Sequence, residues 1–472
     1  MSSISALDSL LNSSSASVDI SNILEAATGA SSPGIDVTSA VNAAVTAAEA
    51  PENNWENQQT TLQNQTTALT SLQTDASNLD SDVQSLNSLT GPLSAATVNS
   101  SSPSVVTGSA SAGAAVGNNI VVVNSLATTA SWSSSAVASE TTALPAESFT
   151  ITTASGTDTL ATGSGVNTLS QLSTAINSAG LGVTASIIQD ATGYRLAITS
   201  NTAGSAGSFT ISGPSSGLEF TQGSSGANAS LTVNGIGFSS ATNTVTGAIP
   251  GLTLNLQSAS PGTEVSLDVA PNTSQASSSI NQFVSDYNTL ISALNSQFSD
   301  TGSGQGVLAD DPVVRNLQSE LLGALDYTAT PATGSSSTTV PNLSSLGISV
   351  NKDGTLTVDN STLDTALQNN FNDVRNFFQG SSLNGFANSL DQELTSFVSP
   401  ADGAFTVDLQ SMNTENTALQ DDINNFQTNV ITPLKTQLQS EFSQAEISLQ
   451  ELPAEIKNVD AELGQNNNTS GG

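Results

Sequence analysis

The sequence predicts an α+β multidomain chain, with long coiled-coil helices near each end and β-rich domains nested between them. Three observations point there. Apolar residues recur at heptad spacing from Trp55 to Leu93, and again at steps of three or four from Leu419 to Leu463. The interior between these stretches is written mostly in short β-branched runs broken by Ser, Gly and Asn. The 472 residues also exceed what a single core usually holds.

The first fifty residues are small and polar. Short apolar clusters occur at Ile20, Ile23 and Leu24, then at Ile35, Val37, Val41 and Val45. The second cluster reads as a weakly amphipathic helix ended by Ala50-Pro51. Residues 1–50 as a whole read as a disordered N-terminal leg that orders only against a partner.

From there the heptad takes over. Trp55, Leu62, Leu69, Ala76 and Val83 share one position, and Leu72, Leu79, Leu86 and Leu93 the position three further on. Between them stand Gln, Asn, Thr, Ser and Asp, so the helix is intrinsically weak and needs a partner along its seam. Gly91-Pro92 stops it. At the far end Leu419, Ile423, Phe426, Val430, Leu438, Leu449 and Ile456 form a matching stripe, interrupted at Pro433 and Pro453. The two terminal seams are read as contacts between chains, because apolar stripes at opposite ends of a sequence are hard for one copy to cover. Leu72→Asp with Leu79→Asp is then expected to weaken assembly.

The β interior opens with Ile120-Val121-Val122-Val123. A small α+β unit follows: a strand at Phe149 and Ile151, a helix burying Leu169, Leu172 and Ile176 and closed by Gly180, and two alternating strands joined at Gly193. Strand text resumes at Leu231 and Val233, then Leu252, Leu254 and Leu256, then Val265, Leu267 and Val269. The period then returns to that of a helix at Ile280, Val284, Tyr287, Ile291, Leu294 and Phe298, read as core within the chain. Asp311 and Pro312 suit the start of a further helix carrying Val314, Leu317 and Leu321. Asp353-Gly354 between alternating strands predicts a hairpin, and Leu363, Leu367, Phe371, Val374 and Phe378 a single helix after it.

Charge and composition exclude much. Forty acidic residues stand against six basic ones, giving a net charge of −34. Such a surface repels nucleic acid and anionic lipid head groups, so no nucleic acid is expected among the partners. No apolar run is long enough for membrane insertion. Cysteine and histidine are both absent, which removes thiolate nucleophiles, most zinc and haem sites and the usual general base near neutral pH. No catalytic residue, metal ligand or cofactor is expected. Asp310-Asp311 and Asp421-Asp422 read as helix capping and a solvated face. The amino-terminal MSSISALDSLLNSSSASVDI has no basic region, the first cation being Arg195, so a cleaved signal peptide is not expected.

Taken in order, these residues resemble the bacterial flagellar filament cap proteins, the hook-associated protein 2 family. Gly34-Ile35-Asp36-Val37 followed by Ala47-Ala48-Glu49-Ala50-Pro51 is similar to the family's N-terminal signature, and Asn124-Ser125-Leu126-Ala127 to a phrase of its first β domain. Residues 167–200 resemble the small repeat of flagellins and hook proteins. Further matches run from Thr246 to Leu254, from Phe283 to Leu294, from Leu308 through Arg315 to Leu317, and from Leu346 to Leu356. The Arg-Leu-Ser-Ser-Gly phrase of flagellins is missing.

The resemblance implies a homo-oligomeric ring at the distal tip of the filament that helps flagellin insert and prevents its loss. It implies export without a cleaved signal peptide, through the flagellar export apparatus with its chaperone. Flagellin and the hook–filament junction protein are the other partners it implies. Its architecture would be nested: legs at 1–50, a coiled-coil stalk of 51–98 with 273–463 that contains a hairpin at 346–359, and a β-rich domain of 99–146 with 213–272. An inserted α+β domain at 147–212 and a disordered tail at 464–472 complete it. The competing readings are another axial protein (junction or filament subunit) and a secreted adhesin.

Overall fold

Apolar spacing, broken by Gly, Pro and Asn, sets the helices among the described residues. In order they are α1 (Val37–Ala48), α2 (Ala50–Asn87), α3 (Leu169–Ser178), α4 (Thr273–Phe298) and α5 (Pro312–Ala324). Then come α6 (Asn360–Asn369), α7 (Phe371–Gln379), α8 (Phe386–Val398), α9 (Ala404–Phe426) and α10 (Thr432–Asn466). The computed structural model describes residues 37–213, 217–299, 304–329, 339–380 and 384–466, without the side chains of 460 and 462–466. The chain is therefore mixed helix and sheet, with helices toward both ends flanking β-rich domains. Its contacts divide it into two units.

The first unit holds the described residues up to 78, residues 289–322 and those from 392 on. Here the structure departs from the sequence in three places. Residues 37–48, expected within a disordered leg, form α1 and bury Ala40, Val41 and Val45; the earlier part of that leg lies outside the described residues. The helix expected ahead of Ala50-Pro51 ends at Ala48, but that pair also begins the next helix. Proline is tolerated in a first turn, where its missing N–H has no partner to lose. The bonds from Glu49 N to Val45 O and from Asn53 N to Glu49 O, both 3.0 Å, carry the chain across the junction.

The third departure concerns the C-terminal helix. Pro453 lies inside α10 without ending it, and Pro433 sits in its first turn. The irregularity falls earlier, as a π-helical turn at Gln427–Ile431 between α9 and α10. Pro453 deprives only Leu449 of a backbone donor, and Leu449 is exposed, so water can serve that carbonyl. The expected tail at 464–472 is helical as far as Asn466, and the rest of it lies outside the described residues.

The second unit holds residues 79–288 and 323–391. Five strands form one antiparallel sheet, in the order Ala96–Ser100, Val265–Pro271, Gly117–Ser125, Ala229–Val233 and Ile236–Ser240. A three-stranded sheet of Thr244–Thr246, Leu252–Leu256 and Val106–Ala110 shares its core of Val121, Val123, Leu231, Leu254 and Leu267. The connection between Val233 and Ile236 is Asn234-Gly235, with φ of 51° and 82°. Both values are positive, as a two-residue primed hairpin requires, and Asn and Gly tolerate them best.

The smaller α+β module packs α3 on two sheets. One runs Phe220–Ser224, Thr129–Ser134, Gly193–Ala203 and Val183–Asp190, and the other Gly156–Ala161, Ser148–Thr153 and Thr210–Ser212. Its core is Phe149, Ile151, Leu169, Leu172, Ile176, Leu196 and Ile198. Thr168 caps α3 by accepting from Gln171 N. The strands at 129–134 and 220–224 therefore belong with this module, although they lie outside the 147–212 expected for it. Pairing of Trp132 with both Ile198 and Gln222 fixes them there.

The remaining helices of this unit surround an aromatic core of Phe283, Tyr287, Phe377, Phe378 and Phe386, all fully buried. The predicted hairpin is present as Ile348–Val350 paired with Leu356–Val358. The helix expected from Leu363 to Phe378 is two helices, α6 and α7, broken at Asn370, whose φ of −134° leaves the helical region.

Candidate assembly surface

The two heptad stretches meet within one chain. Glu52, Gln59, Thr66 and Gln73 stand seven residues apart along α2, and each bonds a residue one step further back on the C-terminal side. Gln427 Nε2 donates to Glu52 Oε2, Gln59 Nε2 to Gln420 Oε1 at 3.1 Å, Thr66 Oγ1 to Met412 Sδ at 3.8 Å, and Gln73 Nε2 to Thr406 Oγ1 at 3.3 Å. Partners that descend along one helix as positions ascend along the other mean an antiparallel helix pair. The polar residues flank the seam and the apolar ones fill it.

The sequence-predicted seam residues therefore divide. Leu62, Leu69, Leu72, Leu79, Val83 and Leu86 are buried by their own chain, as are Ile423 and Phe426, while Trp55, Leu419, Val430 and Leu438 are half-buried. Reading the N-terminal seam as a contact between chains is corrected: its side chains are buried within the chain itself, and along Glu52 to Gln73 the return of residues 404–426 supplies the partner. α1 extends the same arrangement, with Val41 and Val45 clustered with Phe426 and Ile431 and with the flanks of Leu438 and Phe442.

Beyond Phe442 the cover ends. Leu449, Leu452, Ile456 and Val459 continue the steps of three and four along α10, and all four are exposed, Ile456 at 55% and Val459 at 54%. Of the predicted seam only Leu449 and Ile456 lie on this open face. Covering such a half-exposed stripe is worth roughly 1 kcal/mol per side chain. The neighbouring Glu446, Glu451, Glu455 and Lys457 keep the helix soluble and leave it predominantly acidic.

Among the described residues no group of three or more carboxylate side chains is placed to hold a metal ion. Asp311 caps α5, its Oδ1 accepting from Val313 N at 2.8 Å and Val314 N at 3.2 Å. Asp310 pairs at 3.0 Å with Arg315 in solvent, where an ion pair contributes little. Asp421 and Asp422 are exposed.

Sequence reasoning missed two features of the helices. Gln379, buried on α7, donates to the carbonyls of Leu86 and Ser88 at 3.2 and 2.9 Å and so closes the C-terminal end of α2. Aspartates also meet in pairs across helices. Burial, reinforced by Asp311, pushes Asp408 up to about 6. Asp80 and Asp82 rise to about 6 as well, through burial first and then through Asp391 and Asp286 respectively. Each pair joins residues far apart in sequence, and nothing local marks them.

Known proteins share this arrangement. Residues 33–130 match the family model for the flagellar hook-associated protein 2 N-terminus, and 226–453 match that for its C-terminus. Residues 148–202, inside the α+β module, match the flagellin hook IN motif. The B-type flagellar hook-associated protein 2 of Pseudomonas aeruginosa is 31% identical over 336 residues, covering 64% of this chain and 69% of its own length. The flagellar hook-associated protein 2 of Escherichia coli O157:H7 is 28% identical over 49% of this chain, and this chain spans about half of it, 54%. The crystal structure of the D1–D2–D3 domains of the Escherichia coli flagellar cap protein has the same fold. Its TM-score is 0.58 at 24% identity, over 73% of this chain and 99% of that one.

Proposed function

The chain belongs to the flagellar hook-associated protein 2 family, and from that membership we propose how it works as the structural cap at the distal tip of the bacterial flagellar filament. The cap is oligomeric and meets the flagellin filament, promoting flagellin insertion and preventing its loss. What carries the reading is order. The N-terminal and C-terminal family models match on either side of the α+β module, where the flagellin hook motif falls.

Within that role the exposed face of α10 from Leu449 to Val459 is the contact with neighbouring subunits, and the buried seam of α2 is scaffold. The support is the contrast in exposure along a single apolar stripe. Residues 51–98 with 273–463 form the stalk of each subunit. The β-rich domain and the inserted α+β module, taken as 129–224, complete it. The chain acts by assembling, with no bond made or broken; a sequence without histidine or cysteine suits that work. It reaches the tip through the flagellum's own export apparatus with a chaperone, and it also meets the hook–filament junction protein. A cysteine-free chain needs no oxidative folding on arrival. The junction-protein, filament-subunit and adhesin readings are not favoured.

Deleting the coding sequence tests the cap role. Unpolymerised flagellin should appear in the medium and filaments should be lost, with both restored by this chain supplied in trans. Normal filaments in the deletion strain would rule the role out.

A further inference from the structure

Asp80 and Asp82 on α2 each meet a carboxyl group from a different helix. Asp391 of α8 bears on Asp80, and Asp286 of α4 bears on Asp82. Asp80 is only 8% exposed, and the other three are half-buried. Asp80 Oδ1, Asp82 Oδ2 and Asp391 Oδ1 are shut off from solvent and receive no N–H or hydroxyl donor. Asp80 Oδ2 accepts from Gln84 Nε2 at 2.9 Å.

A buried carboxylate oxygen without a donor is costly, and two facing one another cost more. The usual remedy, a cation, does not act here. The charged groups that bear on Asp80 and Asp82 are Asp391 and Asp286, and no lysine or arginine is among them. Arg195 and Arg315 are engaged with Asp190 and Asp310. One proton per pair solves the problem, turning one carboxyl into an O–H donor to the other.

We propose that the Asp80–Asp391 and Asp82–Asp286 pairs form a proton-dependent clamp that fastens α2 to α8 and α4 in mildly acidic solution and loosens as the shared protons leave. The sign follows from linkage. Asp80 and Asp82 are raised from 3.8 to about 6 on folding, chiefly by burial. Between those values the folded chain holds protons that the unfolded chain releases. The clamp is complete below the lower value and is lost as pH rises through about 6.

Thermal unfolding of the full chain at pH 5, 6, 7 and 8 tests this, with Asp80→Asn/Asp82→Asn alongside the wild type. The amides keep the shape and a donor but cannot ionise. The wild type should lose several degrees more than the double variant between pH 5 and 8, and parallel curves would overturn the clamp. Carbon-13 labelling of the aspartate carboxyls gives a readout that does not depend on the variant's stability. Three groups should titrate near pH 6 in the wild type, Asp408 among them, and only one in the double variant; the same set near pH 6 in both proteins would overturn the proposal. Calcium or magnesium chloride added at pH 8 separates proton from metal. Stabilisation of the wild type but not of the double variant would mean that the pairs bind a divalent cation, which contradicts the clamp; equal or no response in both agrees with it.

Discussion

Trp55 stands edge-on to Phe426, with ring centroids 5.5 Å apart and ring planes at 88°. The first apolar position of the α2 heptad thus meets the last residue of α9, at the site where Val41 and Val45 of α1 also pack. An edge-to-face pair is worth about 1 kcal/mol beyond the area it buries. Phe426→Ala should cost about 3 kcal/mol or more in local stability. Amide hydrogen exchange across Val37–Ala48 checks it: protection of α1 should fall while that of the β strands is unchanged.

Leu72 and Leu79 are 2% and 0% exposed. Charging both therefore breaks the fold itself, and assembly is lost only in consequence. Leu72→Asp/Leu79→Asp should cost more than about 4 kcal/mol. Circular dichroism should show lost helix before any question of oligomeric state arises.

Ile456→Asp/Val459→Asp should do the reverse. Both side chains are exposed, so stability should stay within about 0.5 kcal/mol of wild type. Sedimentation velocity should show weaker association. An unchanged oligomer would remove α10 from the interface.

Asp408 gives a pH dependence with a definite sign. Burial and then Asp311 raise it to about 6, so it penalises the folded state increasingly as pH climbs through that value. Asp408→Asn should raise the melting temperature at pH 8 and change it little at pH 5. An equal shift at both pH values would mean that the carboxyl is ionised throughout.

Gln379→Ala should cost about 1–2 kcal/mol, because two carbonyls at the end of α2 lose their donor. Chemical denaturation measures it. A substitution to Glu should be worse than Ala, since a carboxylate facing the two carbonyls supplies no donor.

The sequence made the elements legible where one periodicity governed a long run. The Trp55–Leu86 seam, the Ile280–Leu294 stripe, the Asp353-Gly354 hairpin and the Asp311 cap needed only local spacing. Partners were legible only in part: the stripe from Leu419 offered itself to the N-terminal seam, but the two were read as contacts between chains. A heptad seam says that something covers it, but not whether that is another copy or the same chain returning from residues 404–426. The carboxyl pairs were invisible for the same reason, since Asp80 and Asp391 carry no local mark of one another. Proline misled because its effect depends on which carbonyl it orphans: that of exposed Ala47 at Pro51 and that of exposed Leu449 at Pro453. The break at Asn370 was hidden by apolar spacing that continues unbroken from Leu363 to Phe378. The strands at 129–134 and 220–224 joined the α+β module through pairing that no run of residues displays.

Immunogold electron microscopy of intact flagella, with an antibody raised against this chain, tests the cap role most directly. Gold should mark one site per filament, at the end far from the cell. Label along the filament or at its junction with the hook would contradict it.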